Sequence, residues 1–297
     1  MPDDAPITFR DRAENAAATA ILGLARRLPY ERRIPAMGAA VSRLVAPVAG
    51  WRDRIRTNLA HVLPDLPADE VARLCRVVPD NAGRAMAELY SGLEFRDRVS
   101  ATPLDGPGVD ALLAAARAPE PIIFATGHIG NYDATRAVLM EKGIEVAAVY
   151  RPMRNRAFNA HYRDAMAVVS PVYPTDRRGL AMIVRHLKDG RNLGIVNDIY
   201  ATGGAQVTFF GKPAPTAPTM AEWALKFRAP LIPIFAIRRP DGLSFDVRVE
   251  DPIPHSEPVE MTQRYNDVVE RLARRHLDQW FWIHRRWKPE KAPGAAP

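Results

Sequence analysis

The stretch Pro121-Ile-Ile-Phe-Ala-Thr-Gly-His-Ile-Gly-Asn-Tyr-Asp133 decides the fold. Its first six residues form a short apolar run bounded by breakers, which predicts a strand buried on both faces. Two glycines follow, and Ala134-Thr-Arg-Ala-Val-Leu-Met140 continues as a helix. Strand followed at once by helix is half of a crossover unit, and the pattern repeats downstream. Val146–Tyr150 reads as a strand before a helix from about 155 to 169. Asn192–Asn197 and Pro230–Ile237 read as strands separated by a helix near Pro218–Phe227. Leu243–Val249 alternates strictly, so it predicts a strand with one solvated face. Such alternation implies an α/β fold: a mainly parallel sheet flanked by helices, with its site beyond the carboxyl ends of the strands.

Upstream, residues 1–118 read as helical. Apolar residues recur at helical spacing in Val71–Val78 and again in Ala82–Tyr90, with Pro79-Asp80-Asn81 between them as a helix-start signal. Asp105-Gly-Pro-Gly108 is a turn before a short helix, Val109–Ala116. Downstream, Met261–Leu277 predicts the last long helix and 290–297 a disordered tail. The expected organisation is a helical, membrane-associating region over 1–118 and an α/β core over 119–289, integrated as one domain.

Composition narrows the function classes. Of the 297 residues 47% are apolar and 25% charged, which excludes a wholly disordered chain. The net charge is +7, and only six of the 41 basic residues are Lys. Arg in surplus suits bidentate grips on phosphate or carboxylate. The Arg residues are spread along the chain and no nucleic-acid module is recognisable, so no nucleic-acid partner is expected. One cysteine, Cys75, excludes a disulfide framework and a multi-Cys metal site, and the histidines lack ligand spacing. No metal and no cofactor are expected. The longest nearly apolar run, Ala16–Ala25, is about half of what a bilayer crossing needs, and acidic residues precede it, unlike a secretory signal. The Arg-flanked apolar stretches between Arg26 and Pro47 fit a helix lying in the headgroup plane, and equally two amphipathic helices packed on a core.

Chemistry centres on His128. Gly127 and Gly130 flank it, allowing a sharp bend and close approach of a ligand. Asp133 follows five residues later, a spacing that lets its carboxylate fold back onto one imidazole nitrogen while the other faces the cleft. A histidine held in this way is a general base. No Ser or Cys nucleophile stands beside the pair, so the base is expected to activate a substrate hydroxyl for direct attack on an acyl donor. Asn131 and the free N–H groups of the helix start add donors. Arg151, at the end of the second strand, suits an oxyanion or an acceptor phosphate, and also a plain surface Arg before a turn-forming Pro. Asp198, at the end of the next strand, can orient Arg151, bind an acceptor sugar or serve as an ordinary strand-end carboxylate. His284, Arg285 and Arg286 among Trp280, Trp282 and Trp287 fit a lipid headgroup surface, and equally a packed C-terminal segment.

His128-Ile-Gly-Asn-Tyr-Asp133 resembles the His-x-Gly-Asn-(Trp/Tyr)-(Glu/Asp) box of the bacterial lipid A lauroyl/myristoyl acyltransferases, within the lysophospholipid acyltransferase superfamily. Tyr150-Arg-Pro-Met-Arg-Asn155, Phe209-Phe-Gly-Lys-Pro-Ala-Pro-Thr216 and Trp282-Ile-His-Arg-Arg-Trp-Lys288 are similar to three further boxes of that family, in the same order. Asn58–Leu66 is similar to a segment of its helical part. The resemblance implies a glycerol-3-phosphate acyltransferase-like fold and transfer of a fatty acyl chain from an acyl carrier protein or CoA thioester to a glycolipid hydroxyl, with a lipid A precursor as the leading acceptor. It implies His128 and Asp133 as catalytic residues and Gly130, Asn131, Arg151 and Asp198 as substrate-binding ones, on an enzyme held peripherally at the cytoplasmic face of the inner membrane. Asp at 133, where many lipid A enzymes carry Glu, is common in relatives that acylate other phosphoglycolipids, such as phosphatidylinositol mannosides. A non-catalytic basic membrane-binding protein is the alternative from another class.

Overall fold

A computed structural model describes residues 7–153 and 155–288. The expected tail, 290–297, lies outside the described residues. The chain opens with α1 (Phe9–Ala25), α2 (Tyr30–Ala40), a π-helical turn (Val41–Val45), α3 (Ala46–Val48), α4 (Trp51–Val62), α5 (Ala68–Leu89) and α6 (Leu93–Ser100). A two-residue strand β1 (Leu104–Asp105) and α7 (Val109–Ala115) lead into the alternating half. That half runs β2 (Ile123–Thr126), α8 (Tyr132–Glu141), β3 (Val146–Tyr150), α9 (Arg156–Met166), β4 (Val172–Pro174), α10 (Arg177–Lys188) and β5 (Asn192–Val196). A small hairpin of β6 (Thr208–Phe209) and β7 (Lys212–Pro213), then α11 (Thr219–Phe227), β8 (Leu231–Arg238), β9 (Phe245–Val249) and α12 (Pro258–Arg275) complete it.

The main sheet has seven strands in the order β1-β9-β8-β2-β5-β3-β4. All its pairings are parallel except β8 with β9, which a tight turn at Asp241-Gly242 joins antiparallel. The expected α/β class, with its mainly parallel sheet and helical N-terminal region, is therefore what the chain adopts. All eight residues of β8 are buried, as a strand covered on both faces requires, whereas β9 alternates buried and accessible residues between its two faces. Ile55, Leu59, Leu74 and Val78 from the helical region share one apolar cluster with Ile123, Leu193, Leu231 and the tryptophans 280 and 282.

Three local expectations change. Residues 68–89 form one helix, with Pro79 inside it. Proline removes one hydrogen bond from the ladder, but Leu74, Cys75 and Val78 before it and Ala87 and Leu89 after it are all buried on one side, and that packing holds the two halves in line. Helix α10 was not anticipated. Asp176 caps it by accepting from the Gly179 N–H at 2.7 Å, and Ile183 and Leu187 bury its inner face. The three residues of β4 are too few to show a period of two. Among the described residues no single helix is long and apolar enough to cross a membrane. The bent pair Tyr30–Val48 and Trp51–Val62, meeting at 84°, passes that test only when taken together.

Candidate active site

Sheet register creates the site. Strands β2 and β5 lie side by side in parallel, with Thr126 opposite Val196, and the Asn197 N–H donates to the Thr126 carbonyl at 3.2 Å. Two residues beyond that matched pair, His128 and Asp198 leave the sheet together. His128 Nδ1 lies 2.7 Å from Asp198 Oδ1, and the His128 backbone N–H donates to Asp198 Oδ2 at 2.7 Å. Trp280 Nε1 donates to the same Oδ2 at 2.9 Å. A carboxylate receiving two donors besides the ring is fixed in place, and it fixes the tautomer: Nδ1 carries the proton and Nε2 is the free base. Burial pushes the Asp198 carboxyl up, but the His128 ring together with the N–H donors outweighs it, so its pKa falls below the ordinary value.

The glycines have separate tasks. A Cβ at Gly127 would stand 3.0 Å from Asp198 Oδ2, so a side chain there would crowd the carboxylate off the ring. Gly130 has φ +59°, and a Cβ there would lie 1.9 Å from the Ala236 carbonyl oxygen. This left-handed turn straps the loop across β8 and the C-terminal segment. Asn131 N–H donates to Ala236 O at 3.0 Å, Gly130 N–H to Gln279 O at 3.2 Å and Phe281 N–H to His128 O at 2.9 Å.

Asp133 does not brace His128. Its carboxylate accepts from Arg136 Nη1 at 2.8 Å, one helical turn on, while Arg136 Nη2 donates to Ser170 Oγ at 2.7 Å and Ser170 O at 3.0 Å. The Gly130 turn intervenes between the two residues, and the helix beginning at Tyr132 carries Asp133 inward, where the buried Arg136 guanidinium needs a counter-charge. Burial raises the Asp133 pKa even against the pull of Arg136. Thus the bracing role expected of Asp133 falls to Asp198, which the sequence reading had placed among the substrate-binding residues and which is buried against the His128 ring.

The other expected residues surround this pair. Asn131 caps α8 by accepting from the Asp133 N–H at 2.9 Å, and its Nδ2 donates to Glu88 Oε2 at 2.8 Å. Glu88, fully buried on α5, also holds Arg238 in a two-point ion pair, so the helical region pins the loop from beneath. Nothing in the sequence pattern marks Glu88, since its partners lie 43 and 150 residues away. Arg151 is exposed at the edge of a cavity of about 420 Å³ that also takes in His128, Tyr132, Tyr150 and Tyr200. Arg151 has no hydrogen-bond partner among the described residues. The His128 side chain keeps 29% of its surface exposed, and the ring packs edge-on to Tyr132 and obliquely on Phe281. Among the described residues no His, Cys, Asp and Glu group is placed to hold a metal ion.

The C-terminal box is core, not a headgroup surface. Trp280, Trp282 and Arg286 are buried, and Arg286 donates to Thr216 Oγ1 at 2.6 Å and to Pro215 O at 3.0 Å. Burial lowers the Arg286 pKa to about 10, with Asp198 acting in the opposite sense. His284 accepts from the Tyr200 N–H at 3.3 Å, and burial lowers its pKa to about 4, so it stays neutral at pH 7.

Two of the four sequence boxes, 128–133 and 150–155, line one pocket floored by the ends of β2, β3 and β5, while the other two pack against each other through Arg286 with Thr216 and Phe209 with Trp287. The family model of bacterial lipid A biosynthesis acyltransferases matches residues 12–289. The chain belongs to this family. It is accordingly an acyltransferase, and the match takes in the helical region as well as the sheet. No curated protein matches the chain.

Proposed function

We propose that the protein transfers a fatty acyl chain from a thioester, carried on acyl carrier protein or CoA, to a hydroxyl of a glycolipid, with a lipid A precursor as the acceptor. The observation that carries the reading is the His128–Asp198 pair at 2.7 Å, with Nε2 making no hydrogen bond among the described residues and the ring facing an apolar cavity. Nε2 takes the proton of the acceptor hydroxyl, and the oxygen attacks the thioester carbonyl to give a tetrahedral intermediate. That intermediate collapses with loss of the thiolate, which is protonated by the imidazolium. Asp198 stabilises the imidazolium while it lasts. Arg151 supplies a cation at the cavity rim, within reach of an oxyanion or a substrate phosphate. Acyl carrier protein is acidic, so the net charge of +7 favours the encounter.

Peripheral attachment to the cytoplasmic face of the inner membrane is part of the same proposal. Phe9, Leu44 and Val48 are 87%, 70% and 90% exposed, and Arg26, Arg27, Arg32 and Arg43 are exposed in the same stretch of chain. Apolar side chains with interspersed Arg suit an anionic lipid surface.

The test is reconstitution. Purified protein with lauroyl-loaded acyl carrier protein and a lipid A precursor should add one acyl chain, read by mass spectrometry, and His128→Ala should abolish the product while the melting temperature stays within a few degrees. A His128→Ala protein that still forms product at the wild-type rate discards the mechanism.

A further inference from the structure

Two chambers meet at His128. The first, of about 420 Å³, spans the carboxyl ends of β2, β3 and β5, with Met220 and Trp223 of α11 on one side and α8 over the other face of the sheet. Register puts its floor on that face: Gly194 stands opposite both Phe124 and Ala148, and Val196 opposite Thr126, and paired residues of parallel strands point the same way. Leu139 of α8 closes over them. The second, of about 400 Å³, lies between α5 and the C-terminal segment, with Val78, Ala85, Met86 and Leu89 on one wall and Trp280 and Phe281 on the other. His128, Tyr132 and Tyr162 line both. Because the two tyrosines line both chambers, together they form a partition beside the base.

Gly194 is the telling floor residue. Its φ is not in the left-handed region, so no backbone demand calls for glycine, and glycine weakens a strand. A Cβ there would come 3.2 Å from Val146 Cγ1, and any further atoms would stand in the chamber. The surroundings of the two chambers also differ. Exposed Arg151, with Tyr200, borders the first, facing water, where a protein-borne or CoA-borne thioester arrives. Val41 and Val45 border the second, and Val45 continues into the exposed Leu44 and Val48 beside Arg43, an apolar outer surface suited to a lipid.

We propose that the chambers hold two different hydrocarbon chains at once, the donor's acyl chain at the carboxyl ends of the strands and a chain of the lipid acceptor between α5 and the Trp280–Phe281 segment, with Tyr132 and Tyr162 keeping them apart. This rests on the acyl transfer proposed above. The acceptor thus presents its hydroxyl close to a hydrocarbon portion that the protein itself binds, and the protein discriminates donor length and acceptor acylation at separate walls.

The experiment is a pair of substitutions read against two substrate series, with full-length protein. Gly194→Val narrows the first chamber, and Ala85→Phe fills the second. Donors are CoA thioesters from octanoyl to palmitoyl, and acceptors are lipid A precursors with and without their full complement of acyl chains. Gly194→Val should cut transfer of the longest accepted donor roughly tenfold relative to octanoyl, leaving the acceptor KM within about twofold. Ala85→Phe should raise the acceptor KM roughly tenfold, with the donor-length profile unchanged. Melting curves establish that each variant folds, and Gly194→Ala and Met86→Trp replace any that does not. If Gly194→Val moves the acceptor KM and Ala85→Phe the donor profile, or if neither moves anything, the assignment of chambers is overturned while acyl transfer stands. A wild-type protein that forms no acylated product with any pair overturns the transfer reaction, and this inference with it.

Discussion

An imidazole is a useful base only while something holds its tautomer, and at position 128 the holder is Asp198. The two aspartates near the ring therefore predict different phenotypes. Asp198→Asn can still accept a hydrogen bond but no longer stabilises an imidazolium, so kcat should fall by about 10²–10⁴ with the fold intact. Asp133→Asn leaves Arg136 buried without a full counter-charge, so its first effect should be on stability, a loss of about 2–4 kcal/mol in urea unfolding. Steady-state kinetics and denaturation on the two variants decide between these roles; equal kcat losses with equal stabilities would refute the division. Asp198 has a folded pKa below its unfolded one, so its stabilising contribution is complete above the ordinary carboxylate value of about 3.9 and is lost as pH falls through the lower folded value.

Among the elements, the loop between β2 and α8 is held from three sides. It is strapped by Ala236 of β8, by Gln279 and Phe281 of the C-terminal segment, and by Glu88 of α5 through Asn131. Gly130→Ala would force a Cβ into the Ala236 carbonyl at a positive φ, at a cost of about 1–3 kcal/mol or more, and should lower kcat because the strap carries His128 with it. Thermal melting and kinetics on that variant check both effects. The alternating strands and helices around this loop were legible because each apolar run was long enough to show its period. Helix α5 was misread as two because Pro79 is a strong local breaker, overruled here by burial on both sides of it. Strand β4 was missed because three residues carry no periodicity.

The molecule as a whole buries several ionisable groups that favour their neutral forms. His284, His186 and His276 all have pKa values pushed down, chiefly by burial, His284 to about 4. The unfolded chain binds protons at these sites from about pH 6.5 downward, whereas the folded protein takes them up only at lower pH. Their stabilising contribution is thus complete above about pH 6.5 and is lost as pH falls toward the folded values. The melting temperature should fall from pH 7 to pH 4, and fall less steeply in His284→Gln. Scanning fluorimetry across that range measures it, and identical slopes for the two proteins would remove His284 from the account.

Local pattern by itself determined the α/β class, the strand ends, the glycine-flanked histidine and the family boxes, because each is written in residues close together along the chain. Which carboxylate meets that histidine was decided by the tertiary structure, since it depends on β5 rather than β3 lying next to β2, and strand order is a property of the assembled sheet. Likewise only folding showed Glu88 beneath Asn131, the C-terminal tryptophans turned inward, and two chambers sharing one imidazole. Each depends on contacts between distant segments, where the free energy of burial and of satisfying buried charge outweighs what any short stretch prefers.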